Sequence, residues 1–255
     1  MPAVAGLVCA VLMMLAAPAL AVPFVPDLLV IETEGVGSWE GSTTDLGCVD
    51  GTGTVILVCD GMGQTFTPTN PAFTWELSDW MLLVDSDPIV TQNFGFRNTG
   101  PTQTFNLVTS IAVAPIAPSS LMGGSTGGSV TDADFSGAGG LSTVTPDAFY
   151  VGLIDGAAIS PTTELHPDPF SVTLAISGET KNIPNVNFGL PGPTVPGPAV
   201  ANTIGIRNRF SLSGGDSVSS SNFFQVEVVP EPGTASLLGL WLAGLAILRR
   251  RRAAG

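Results

Sequence analysis

Short runs of β-branched and aromatic residues, separated by clusters of Gly, Pro, Asn and Asp, constrain the fold of this chain more than any other feature. Residues 54–58, 148–154 and 170–176 are three such runs. Turn signals return roughly every ten to fifteen residues, and between the two apolar ends of the chain no pattern predicts a helix longer than one or two turns. This organisation predicts an all-β fold, an antiparallel two-sheet sandwich of jelly-roll or immunoglobulin-like type.

The segment 89–113 has the most regular strand pattern. Ile89–Arg97 and Thr102–Val113 flank the turn residues 98–101, and apolar side chains recur at every second position, with a shift near 108–110 that predicts a bulge. The two runs predict a long antiparallel hairpin, which resembles the hairpins of bacterial immunoglobulin-like surface domains. Residues 200–212 and 223–229 predict a second pair of strands around a Gly-Gly turn.

Three other segments are less regular. Residues 73–84 allow a strand or a single helical turn. Residues 119–141 are glycine-rich and predict a flexible loop around one short strand near Val130, and the Gly/Ser run within them lacks the Lys-Ser/Thr ending of a phosphate-binding loop. A proline-rich bridge over 189–198 could divide two subdomains, but the residues after it are too few to fold alone. We therefore expect one domain over residues 22–229.

The C-terminal segment 230–255 has three parts in order. A Pro-Glu-Pro element comes first, an apolar run from Thr234 to Leu248 follows, and a cluster of arginines ends it. The residues of the first part are Pro230, Glu231 and Pro232, and those of the last are Arg249, Arg250, Arg251 and Arg252. The apolar run would make a helix roughly 22 Å long, which can insert into a bilayer with some mismatch. The arginines predict that the C-terminus is cytoplasmic and the preceding domain lies across the membrane.

This tail resembles the PEP-CTERM sorting signal of Gram-negative bacteria. The resemblance implies cleavage near Pro230–Pro232 by a membrane enzyme of the exosortase type, with a transient inner-membrane intermediate. It also implies export by a bacterium that makes extracellular polysaccharide, and a final place on the cell surface or in the extracellular matrix. A permanent tail anchor without cleavage is the alternative.

The N-terminus indicates export as well. Ala3–Ala21 is an apolar stretch without a charged side chain that ends in Ala-Leu-Ala. This pattern predicts a signal peptide over residues 1–21, with a signal helix and a mature chain that starts at Val22. The first six residues carry no Lys or Arg, which departs from the usual n-region.

The domain between these ends is strongly acidic. Of the 21 acidic and 8 basic residues in the chain, only Glu231 and the four tail arginines lie outside 22–229, so the domain has a net charge of about −16. Such a charge repels nucleic acid and anionic lipid. It is the charge of a solvated surface, and it can also attract divalent cations.

Two cysteines, Cys48 and Cys59, remain after removal of the signal peptide. The residues between them contain a Gly-rich turn and one strand, so the two can meet across a small hairpin. In an oxidising compartment we expect a disulfide, which would stabilise the domain by roughly 3 kcal/mol through loop closure. Two buried free thiols are the alternative.

Motifs for catalysis are weak in this sequence. The single histidine, His166, lies between prolines in a segment that predicts an exposed loop, and Gly215-Asp216-Ser217 resembles an esterase motif in a setting that does not suit one. No CxxC, HExxH or dinucleotide-binding fingerprint occurs. The sequence therefore predicts a non-enzymatic domain without a cofactor.

Two acidic pairs, Asp85/Asp87 and Asp132/Asp134, offer oxygen atoms that Ca²⁺ prefers. Neither pair completes a calcium-binding motif, and Asp-x-Asp is common in turns, so turn chemistry is the favoured interpretation and calcium the secondary one.

The resulting prediction is an exported β-sandwich with a structural or adhesive role in biofilm or exopolysaccharide. The alternatives are a carbohydrate-binding or carbohydrate-active domain and a Ca²⁺-stabilised adhesin. A glycosidase would need two carboxylates in an aromatic groove, for which Trp39, Trp75, Trp80 and Tyr150 are the candidate aromatic residues.

Overall fold

The structure is a computed structural model that describes residues 28–52, 55–85, 87–116, 120–229 and 241. The signal segment, the Pro-Glu-Pro element and the arginine cluster lie outside the described residues. None of the described residues belongs to a helix long and apolar enough to cross a bilayer.

Eighteen strands and no named helix make up the described chain. In chain order they are β1 (Leu29–Thr33), β2 (Gly37–Gly41), β3 (Cys48–Asp50), β4 (Val55–Asp60), β5 (Thr65–Phe66), β6 (Trp75–Asp85), β7 (Ile89–Asn98), β8 (Gln103–Ala112), β9 (Ser120–Thr131), β10 (Gly139–Ser142), β11 (Tyr150–Ile154), β12 (Ala157–Ala158), β13 (Glu164–Leu165), β14 (Ser171–Leu174), β15 (Thr180–Phe188), β16 (Val195–Gly197), β17 (Thr203–Leu212) and β18 (Ser217–Val228).

The strands form two antiparallel sheets. Sheet A has the order β12-β11-β17-β8-β1-β2, with β13 beside β11, β10 beside β17 and β14 beside β10. Sheet B has the order β15-β9-β18-β7-β6-β4-β3, with β16 beside β9 and β5 beside β6. The predicted all-β, two-sheet architecture is confirmed.

Aromatic side chains join the inner faces of the two sheets. The ring of Phe96 on β7 lies 4.8 Å from that of Phe105 on β8 and 6.0 Å from that of Phe210 on β17. All three side chains are buried. The hydroxyl of Tyr150 on β11 donates a hydrogen bond of 2.7 Å to the carbonyl of Phe223 on β18, which ties sheet A to sheet B directly.

The prediction that 89–97 and 102–113 pair as a hairpin is wrong. Strand β7 pairs with β6 and β18 in sheet B, whereas β8 pairs with β1 and β17 in sheet A. The connection between them crosses from one sheet to the other, and the buried Asn98 amide at this corner donates hydrogen bonds to the carbonyls of Pro101 and Leu212. The predicted bulge is also absent from β8, where Thr109 takes a buried position in an unbroken alternation.

The prediction that 200–212 pairs with 223–229 is also wrong, because the two strands belong to different sheets. Strand β17 lies in sheet A and β18 in sheet B, so the turn 213–216 between them also crosses the sandwich. The period of two along a strand determines which side chains face inward. It does not determine which of two sheets receives the strand.

The glycine-rich segment is a strand rather than a loop, which corrects a further prediction. Its residues 120–131 form β9, an interior strand of sheet B between β15 and β18. A side chain at Gly124 would overlap Phe188 and the Tyr150 hydroxyl, and one at Gly128 would overlap the Ser219 carbonyl. Glycine is therefore required by close packing here, not by flexibility. The segment 73–84, which allowed either a strand or a helical turn, contributes to strand β6 (Trp75–Asp85), which has a register shift between Ser78 and Met81.

Candidate functional site

Three aspartates meet at one end of the sandwich. Asp132 and Asp134 follow strand β9, and Asp216 lies in the turn between β17 and β18. Each offers one carboxylate oxygen, and these oxygens all lie within 4.8 Å of one another. The sequence predicted the first two as a pair, but it noted Asp216 only as part of an esterase-like tripeptide. The contact of Asp216 with the other two could not be predicted, because it joins segments some eighty residues apart and has no local signal.

Backbone donors hold Asp132 in place. Its Oδ2 accepts hydrogen bonds from the N–H groups of Gly137 and Gly178, both at 2.9 Å, and its Oδ1 accepts one from Ser136 at 3.1 Å. Burial by itself would raise the pKa of Asp132, but the hydrogen bonds with Gly137, Gly178, Asp134 and Ser136 together outweigh it and the pKa is lowered to about 2. Asp132 is therefore ionised at neutral pH.

Asp216 has the opposite electrostatic environment. Its side chain is fully buried, Oδ2 accepts a hydrogen bond of 2.7 Å from Gly140 N–H, and Oδ1 has no hydrogen-bond partner among the described residues. Burial raises the pKa of Asp216 to about 6, and repulsion by Asp132 and Asp134 adds to the increase. The cluster thus holds one carboxylate whose negative charge is destabilised by the other two.

Two glycines leave space for the carboxylates of Asp134 and Asp216. Gly215 has φ of +83°, and a Cβ atom built on it would overlap the carboxylate of Asp134. A Cβ on Gly139, whose φ is +143°, would overlap the carboxylate of Asp216. Both positions therefore need glycine for backbone conformation and for space.

The other acidic pair does not join a cluster within the described chain. Asp85 ends strand β6, and its Oδ1 accepts a hydrogen bond of 3.1 Å from Asp87 N–H, which is the turn chemistry that the sequence favoured. Asp87 is exposed.

A second feature is a groove of about 1020 Å³ on the outer face of sheet B. Its walls come from outward positions of neighbouring strands and include many hydroxyl and amide groups, among them Ser78, Asn93, Ser125, Asn185, Ser219 and Ser221. Gly95, Gly127 and Gly128 contribute to the same lining. The Ser221 hydroxyl donates a hydrogen bond of 2.6 Å to Asn93 Oδ1. Alternating serines on β18 are the sequence signal for this polar row.

No tryptophan or tyrosine is among the described residues that line the groove. Trp75 and Trp80 are buried in the core, Tyr150 is fully buried, and Trp39 is partly buried with its ring centroid 5.5 Å from that of Trp75. These aromatic residues pack in the core or against it. Among the described residues, two carboxylates line the groove, and both have partners. Glu76 lies 3.9 Å from Arg97, and Asp79 accepts a hydrogen bond from Gly63 N–H.

The remaining candidate residues lie elsewhere. Cys48 and Cys59 face each other in the antiparallel β3–β4 pair and form a disulfide. The His166 ring stacks on Phe170 with centroids 4.2 Å apart, and its Nε2 lies 2.9 Å from the Pro184 carbonyl oxygen. Burial lowers the pKa of His166, which favours the neutral ring. Its described contacts do not assemble a catalytic triad.

No family model matches the sequence, and no curated protein resembles it significantly. Among solved structures, one similar chain is the K1 cleaved adhesin domain of Lys-gingipain from Porphyromonas gingivalis W83, with 11% identity, a TM-score of 0.26 and coverage of 66% of this chain and 90% of that one. Another is TmCBM61 in complex with beta-1,4-galactotriose, with 14% identity, a TM-score of 0.25 and coverage of 63% and 90%. The enzymatically active domain of bacteriophage CBA120 tailspike protein 4 has 13% identity, a TM-score of 0.26 and coverage of 66% and 21%. Scores this low support no inference about function.

Proposed function

We propose that this chain is an exported, non-enzymatic β-sandwich that adheres to extracellular polysaccharide on the cell surface or in the matrix. The observation that carries the proposal is the groove on sheet B, whose lining is rich in hydroxyl and amide groups. These groups can donate and accept hydrogen bonds, as the hydroxyl groups of a glycan do.

The geometry of a sheet suits an extended polymer. Side chains on one face of a strand repeat every second residue, or about 6.8 Å, so Ser217, Ser219 and Ser221 offer hydroxyl groups at regular intervals. Neighbouring strands repeat this pattern across the groove. The strongly negative domain favours a neutral polysaccharide over an acidic one, because like charges would repel.

Binding is favoured over hydrolysis by the state of the groove carboxylates. A glycosidase needs one carboxyl group as acid and a second as base or nucleophile on either side of the scissile bond. Here Glu76 is paired with Arg97, and Asp79 accepts a backbone hydrogen bond. Both groups therefore have structural roles that compete with a catalytic one.

Delivery to the surface is proposed from the two ends of the sequence. The signal peptide would direct export, and the PEP-CTERM segment would bring the chain to an exosortase-type enzyme in the inner membrane. The test is the intact mass of the protein in membrane, surface and medium fractions of the native host. A species from Val22 to near Pro230 outside the inner membrane supports this route, and a full-length tail retained in the inner membrane contradicts it.

The groove is tested by filling it. The full chain and two variants are assayed for co-sedimentation with the insoluble exopolysaccharide of the host. Ser219→Trp places a bulky ring in the groove, and Gln225→Trp places the same ring outside the groove on the same face of β18. We expect at least a tenfold loss of affinity, or about 1.4 kcal/mol, for the first variant alone. Equal binding by both variants, or no binding by the unmodified chain, would contradict the groove as the adhesive site.

A further inference from the structure

We infer that Asp132, Asp134 and Asp216 bind a Ca²⁺ ion that clamps the two sheets at one end of the sandwich. This inference does not depend on the glycan-binding proposal, since the three carboxylates adjoin the groove without lining it.

The cluster forms no ion pair within the part of the chain that the structure describes. Within the described chain, Arg97 lies near Glu76, Lys181 pairs with Glu179, and Arg207 and Arg209 both pair with Asp147. None of these cations forms an ion pair with the three aspartates. Three carboxylates held this close repel one another unless a cation or a proton neutralises part of their charge.

Asp216 gives an independent reason to expect a ligand. Its side chain is fully buried, and its Oδ1 has no donor among the described residues. A buried carboxylate oxygen without a partner is costly, and native structures usually satisfy such atoms. A cation bound between Asp216 and its neighbours would satisfy this oxygen and reduce the repulsion at the same time.

The type of ligand atom selects the kind of cation. All three residues offer oxygen, and neither His nor Cys belongs to the cluster, so a hard cation is favoured over Zn²⁺. Two oxygens on opposite sides of Ca²⁺ can lie about 4.6–5.2 Å apart, whereas Mg²⁺ requires about 4.0–4.2 Å. The oxygen separations, all below 4.8 Å, therefore lie within the range that one Ca²⁺ ion can span.

The ion would connect elements that the chain alone leaves far apart. Asp132 and Asp134 follow β9 of sheet B, and Asp216 stands where the chain passes from β17 in sheet A to β18 in sheet B. Asp216 also accepts a hydrogen bond from Gly140 on β10 in sheet A. Asp132 in turn holds the turn before β15 through Gly178. Binding of Ca²⁺ at this site should therefore stabilise the whole domain rather than one loop.

The test uses the full chain, purified in mild detergent and freed of metal with a chelator. Ca²⁺ and Mg²⁺ are added separately at pH 7.5, and the melting temperature and calorimetric binding are measured. At a hundredfold excess over Kd, we expect Ca²⁺ to raise the melting temperature by about 5–10 °C, with a smaller shift from Mg²⁺. No shift with Ca²⁺ would overturn the proposal.

Two variants and a matched control locate the effect. Asp216→Asn removes the buried ligand, and Asp134→Asn removes an exposed one, so the second tests the site even if the first does not fold. Asp87→Asn removes the same charge from the other Asp-x-Asp pair. We expect the ligand variants to lose at least tenfold in Ca²⁺ affinity and the control to keep it. Equal responses from all three would show general charge screening and would overturn the proposal.

Discussion

The only tyrosine of the chain provides a sharp test of how the two sheets are packed. Tyr150 is fully buried on β11 of sheet A, and its hydroxyl donates a hydrogen bond of 2.7 Å to the Phe223 carbonyl on β18 of sheet B. Burial raises the pKa of Tyr150 well above its ordinary value, because the phenolate would lose its hydration. The proton should therefore stay on the folded protein at a pH where the unfolded chain has lost it.

The sign and size of the effect follow from proton linkage. Below pH of about 10, both states hold the proton and Tyr150 makes no pH-dependent contribution. Above that pH, the folded state binds more protons than the unfolded state, so the free energy of unfolding falls as pH rises. The slope approaches 1.4 kcal/mol per pH unit and ends once the folded-state pKa is passed.

The assay follows tyrosinate absorbance and circular dichroism together during an alkaline titration. We expect no tyrosinate signal until the dichroism reports unfolding, and then a single step in both. A Tyr150→Phe variant serves as the control: it removes the absorbance change and the slope due to this group, at a cost of about 1 kcal/mol for the lost hydrogen bond. A tyrosinate midpoint near the ordinary pKa in a protein that keeps its native dichroism would refute the buried contact between the sheets.

Two further predictions concern the core and the disulfide. Trp80 donates its indole N–H to the Leu46 carbonyl at 3.0 Å, whereas the buried indole N–H of Trp75 has no acceptor among the described residues. Trp80→Phe should therefore lower the free energy of unfolding in urea by about 1–3 kcal/mol more than Trp75→Phe does. Equal losses for the two variants would contradict this difference. Replacing Cys48 and Cys59 by Ser opens a loop with a sequence separation of 11 and should cost about 3 kcal/mol in the same assay, which a loss close to zero would contradict.

The sequence predicted many of the longer strands because their information is local. Alternation of apolar and polar residues, with turn residues between, identified the segments that became β7, β8, β11, β17 and β18. The Cys48–Cys59 hairpin was also predicted, from a Gly-rich turn and one strand between the two cysteines. Strand β9 was missed, because its glycines meet side chains and backbone from distant strands that no local pattern reveals.

The assignment of strands to sheets was decided only by tertiary structure. A turn such as 98–101 or 213–216 can close a hairpin or cross the sandwich, and the sequence predicted a hairpin in both places. The crossings bring these two corners together, where Asn98 N–H donates to the Asp216 carbonyl and Gly215 N–H donates to that of Asn98. The same crossings carry Asp216 to Asp132 and Asp134. Side-chain periodicity specifies which face of a strand is buried, whereas the neighbours of that strand depend on how the whole chain packs. Strands could therefore be predicted from local sequence, and the acidic cluster could not.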